Sequence, residues 1–113
     1  MKTVAEIKAI TDIPAVTTNT EGDIDFVNQA FLERFNWDED KILGQNITVI
    51  IPDDYHDAHN MGFSRFLTTN EPKILGQDLP LAAKDSKGDL HDVTVHIVAE
   101  KNGDAWAFAA TLG

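Results

Sequence analysis

The chain has 113 residues, 42% of them apolar, which suits one compact domain, leaves no room for two, and argues against a disordered tail. Its formal charge of -10, from nineteen acids against nine Lys and Arg with no basic stripe, would repel a phosphate backbone and argues against nucleic-acid binding. The lack of cysteine removes disulfides, thiolate ligands and covalent c-type haem, and no apolar run approaches the roughly 18 residues of a membrane helix.

In chain order, "MKTVAEIKAI" breaks its apolar pattern with charges, so it does not read as a secretory signal. A reducing cytoplasm is the expected location. Thr3 and Glu6 stand at capping-box spacing and predict a helix with Val4, Ile7 and Ile10 on one face. This cap, residues 1–11, precedes a domain at 12–113, and its apolar stripe offers an interface for a homodimer. "PAVTTNTEGDIDFVN" predicts two short strands around a turn at Glu21-Gly22-Asp23. "QAFLERFNW" puts Phe31, Leu32 and Phe35 on one side of a short helix. Asp38 is the expected N-cap of the next helix and Gly44 its stop. "ITVIIP" is an apolar run closed by Pro52.

From Tyr55 to Gly76 the pattern is helical and then loop-like. At about 100° per residue, Tyr55, His59, Phe63 and Phe66 share a narrow stripe. His59 therefore points with aromatics toward the core, where an unpaired imidazole nitrogen costs about 1–3 kcal/mol. His56 lies at the edge of the stripe as a solvated or capping residue. After Gly76 the period changes to two. "QDLPLAAKD" predicts a strand that Pro80 assigns to an edge or a bulge. "LHDVTVHIVAE" alternates Val93, Val95 and Ile97 against Asp92, Thr94 and His96. Asn102-Gly103 signals a two-residue hairpin before the last strand, "AWAFAATLG".

This order of elements, with "TEGDIDFVNQAFLERFNWDEDKILGQNI", resembles a PAS domain over about residues 12 to 113. The resemblance implies an α+β fold: a five-stranded antiparallel sheet with short helices packed on one face, preceded by the cap helix. It also implies a sensory or dimerising module. "HNMGFSRFLTTNEPKILG" is similar to the long helix and loop of haem-binding PAS gas sensors, the FixL-type oxygen sensors among them. Carried across, His59 becomes the proximal ligand of haem b (iron protoporphyrin IX), and Arg65 and Lys73 lie near its propionates. Phe63, Phe66, Ile74, Gln77, Leu79, Val95, Ile97 and Trp106 complete the implied cradle, with Val95 and Ile97 on the gas side. Without the resemblance, His59 would hydrogen-bond a carbonyl or carboxylate and pack. Gly62 inside the helix fits close packing on the sheet and room for a flat macrocycle beside the backbone, and the two are not exclusive.

The sequence departs from the FixL pattern at Leu79, which stands where an arginine polarises bound oxygen. Gln77 and Trp106 are the remaining donors. Trp106 resembles the tryptophan that some haem-PAS chemoreceptors use to hold oxygen, and indole N–H is a donor only. Plain core packing is its other reading, and a one-residue shift in the preceding hairpin would reverse the side it faces. No GxSxG, P-loop or GxGxxG is present, and Ser64 and Ser86 have no obvious base, so no enzyme is expected. The expected function is a haem sensor of a diatomic gas, oxygen first, signalling to an output domain of a longer protein. The alternatives are a cofactor-free dimerisation or relay module, or a pocket for flavin or another small ligand.

Overall fold

The computed structural model describes residues 3–56 and 78–113. Five strands form one antiparallel sheet: β1 (Ala15–Thr18), β2 (Ile24–Val27), β3 (Asp78–Lys84), β4 (Leu90–Asn102) and β5 (Ala105–Leu112). Their order across the sheet is β2-β1-β5-β4-β3. Pro80 thus lies in an edge strand, where its missing N–H costs no ladder bond. The α+β architecture expected from the sequence is the one observed.

The sheet has two unlike faces because its strands alternate. Val16, Val93, Val95 and Leu112 pack against helix α2 (Gln29–Phe35), helix α3 (Glu39–Ile42) and a 3-10 turn at Ile47–Ile50. Phe31, Phe35 and Ile42 are fully buried there, and the Phe31 and Phe35 rings meet at 4.9 Å. The opposite face carries Ala15, Val98 and Ala109. Helix α1 (Val4–Lys8) covers that face and has the expected capping box, with Thr3 accepting from the Glu6 N–H and Glu6 accepting from the Thr3 N–H.

Several local details refine or correct the sequence reading. The Val4-Ile7-Ile10 stripe packs on the chain's own sheet: Val4 and Ile7 are buried against it, with Ile10 beside them. The apolar outer face of β1, β4 and β5 is the nearest surface, and it takes the stripe. The apolar run after Asn46 forms a 3-10 turn, capped by the Asn46 side chain at the Thr48 N–H. Tyr55 is 60% exposed at the end of a second 3-10 turn, Asp53–Tyr55, and so does not join an aromatic core stripe. Asp38 occupies the N-cap of α3 without a capping hydrogen bond; its carboxylate faces Lys41 at 3.5 Å instead. The β4–β5 hairpin turns on Gly103-Asp104, because Asn102 pairs with Ala105. Gly103 has φ 64, as the first central residue of a type II′ turn requires.

Candidate ligand-binding site

The helix-facing side of β3, β4 and β5 is where the described part of the expected cradle gathers. Leu79 pairs directly with Val95, and Ile97 follows two residues along β4 on the same face. The hairpin register decides the side of Trp106. Ala110 and Leu112 belong to the helix-facing core, whereas Ala107 and Ala109 face α1. Alternation therefore puts Trp106 and Phe108 on the same side as Leu79, Val95 and Ile97.

These residues do not form one tight knot. Ile97 pairs with Ala110, and Trp106 lies four residues farther along β5, about 13 Å at the usual strand rise. The stretch between is floored by Ala110 and by the Ala99–Phe108 pair. Ala99 and Ala110 are the small side chains at its centre. Phe108 was not singled out from the sequence, although the period of two counted from Trp106 marks it. The Trp106 and Phe108 rings stack with centroids 6.2 Å apart and planes 20° apart, and Lys101 Nζ sits 5.9 Å from the Trp106 ring centre.

His59, Phe63, Arg65, Phe66, Lys73, Ile74 and Gln77, and Gly62 with them, lie outside the described residues. The three described histidines each have an oxygen partner at one ring nitrogen. His56 Nε2–H donates to the Ile51 carbonyl at 2.7 Å, capping the end of the first 3-10 turn. His91 Nε2 meets Asp85 Oδ2 at 2.9 Å while its ring stands edge-on to Phe35. His96 Nδ1 meets Asp78 Oδ1 at 2.9 Å on the opposite side of the sheet. His91 is eight residues from Ala99 along β4, about 26 Å away. Neither His91 nor His96 therefore faces the alanine floor.

Two carboxylates around this core are held below the ordinary range. At Asp85 the hydrogen bond with His91 is the main cause, with backbone N–H bonds from Asp89 and Lys87 adding to it against burial. At Asp53 the cause is Lys84, whose Nζ approaches at 2.6 Å and ties β3 to the second 3-10 turn. A separate open hollow of about 480 Å³ lies beside α2 and α3, lined by Leu32, Trp37, Glu33, Asp38, Glu39 and Asp40. Four carboxylates on its rim make it a poor host for an anionic ligand.

A family model described as "PAS domain" matches residues 12–112. The chain belongs to the PAS family. Solved structures agree on the fold. A PAS domain from Desulfitobacterium hafniense superposes with a TM-score of 0.73 at 14% identity, covering 94% of each chain. The PAS domain of an HTR-like protein from Haloarcula marismortui gives 0.70 at 19% identity, covering 96% of this chain and 88% of that one. The Rhodobacter sphaeroides LOV protein gives 0.67 at 15% identity, covering 95% of this chain and 61% of its own length. No curated protein matches the sequence. This PAS domain is thus a module of a sensory family, and among its described residues no helix is long and apolar enough to cross a membrane.

Proposed function

We propose that this PAS domain binds haem b through His59 and senses a diatomic gas, oxygen first, on behalf of an attached output domain in the cytoplasm. The observation that carries the reading is the apolar sheet face floored by Ala99 and Ala110, flanked by Leu79, Val95 and Ile97 on one side and by Phe108 and Trp106 on the other. Those residues fit a flat apolar group, for none of the seven carries a charge. The motif from His59 to Gly76 supports the identity of the group, since it resembles haem-binding PAS sensors.

In this reading His59 holds the iron, Arg65 and Lys73 balance the propionates, and Phe63, Phe66, Ile74 and Gln77 complete the cradle. When bound, haem supplies an iron centre that takes up the gas. The protein's own contribution is to exclude water with Leu79, Val95 and Ile97. It also offers Gln77 or Trp106 as hydrogen-bond donor, since Leu79 has none to give. A change at the donor then shifts the balance between two arrangements of the sheet, and through it the output domain.

The test is an absorption spectrum of protein produced with haem supplied, beside the His59→Ala variant. A Soret band in the parent that is lost or altered in the variant is the expected result. Colourless samples of both, with folding intact, would leave a PAS interaction or relay module. A flavin spectrum would instead reassign the pocket.

A further inference from the structure

β1 leaves the sheet after Thr18, whose partner on β5 is Phe108. The same register, carried two residues on, sets Thr20 opposite Trp106. The backbone ladder does not continue there. The Thr20 hydroxyl replaces it: Oγ1 accepts from the Trp106 N–H at 2.7 Å and donates to the Trp106 carbonyl at 3.2 Å. One hydroxyl engages both backbone groups that a paired strand would have engaged, which it can do because it is donor and acceptor at once. Trp106 is the second residue of β5, beside the Gly103-Asp104 turn, where a strand end otherwise frays.

We propose that Thr20 is a positioning residue for Trp106, fixing the indole over the sheet face and so setting how strongly the site prefers a polar gas ligand. This deepens the haem reading and rests on it for the ligand. The clamp itself is independent of any cofactor. A donor held in place favours the ligand that gathers more negative charge, oxygen over carbon monoxide. A donor on a loosened strand end loses that discrimination.

Thr20→Val keeps the shape and removes both hydrogen bonds, whereas Thr20→Ser keeps the hydroxyl. Two readouts separate the clamp from the cofactor. The first is Trp106 fluorescence and near-ultraviolet dichroism in a Trp37→Phe background, recorded without haem. The second is the ratio of oxygen to carbon monoxide affinity of the haem-loaded protein. Thr20→Val is expected to shift the Trp106 signal and to lower the ratio about fivefold, roughly the factor one net hydrogen bond carries. Thr20→Ser is expected to restore both, and Thr20→Val is expected to add nothing to the ratio once Trp106→Phe is present. An unchanged Trp106 signal and ratio in Thr20→Val would overturn the proposal, as would an equal loss with and without Trp106. A shifted Trp106 signal in protein that takes up no haem would support the clamp and overturn the haem reading together with the gas preference built on it.

Discussion

Asn28 joins three segments that the sequence keeps apart. Its Oδ1 accepts from the N–H groups of Ala15 and Phe31, at 3.0 Å and 2.9 Å, and its Nδ2 donates to the carbonyls of Ile10 and Ile13. All of its amide's usual bonding capacity is used at a buried site, so the start of β1, the N-terminus of α2 and the segment after α1 are held by one side chain. Asn28→Ala leaves several of those backbone groups buried without a partner, and it is expected to cost about 3–4 kcal/mol. Urea unfolding with an unchanged slope and a lower midpoint is the measurement. Asp85 makes a different claim, about pH. Its lowered pKa means that the stability it contributes is complete above the ordinary carboxylate value and is lost as pH falls through the lowered one. Stability is therefore expected to fall as pH drops below the ordinary carboxylate range, with Asp53 contributing in the same direction. Thermal unfolding of Asp85→Asn across that range should show a shallower fall, since the amide still accepts from the turn N–H groups but does not titrate there. An identical slope would mean that other carboxylates carry the whole effect.

At the scale of the element, α1 shows how little a short helix decides by itself. Five residues with one capping box are too few to be stable alone in water. Docking supplies what is missing: Ile7 is fully buried against the outer sheet face, and the Val4 N–H bonds Glu100 Oε2 at 2.9 Å. Ile7→Ala is expected to cost about 2–4 kcal/mol. Amide exchange should register it as lost protection over residues 4–9 while α2 and β4 stay protected. Loss spread evenly through the chain would show instead that α1 and the sheet unfold as one unit. The β4–β5 hairpin carries the same lesson about reach. Asn102-Gly103 marked it correctly as a two-residue turn, yet the central pair is Gly103-Asp104. Sequence alone does not say which residue ends the ladder. A shift of one residue would have reversed the side of Trp106.

For the whole molecule, the pattern of residues was enough to determine the class and order of elements. Alternation in β4, the capping box at Thr3, the asparagine before α2 and the glycine turns are local signals, since each depends on neighbours within a few positions. The PAS family follows from that order and from the family match over residues 12–112. What tertiary structure alone decided is which surfaces meet. The stripe of α1 lies on its own sheet, and Tyr55 stays outside while the neighbouring 3-10 turn packs in. Ala99, Ala110 and Phe108 become a common floor only when β4 and β5 pair. Thr20 reaches Trp106 across a sequence separation of 86 residues, a contact no local window can report. The physical reason is common to all of these. Local backbone preferences and period fix what each segment becomes, whereas burial and hydrogen-bond satisfaction are settled between segments and exist only once the chain has closed on itself.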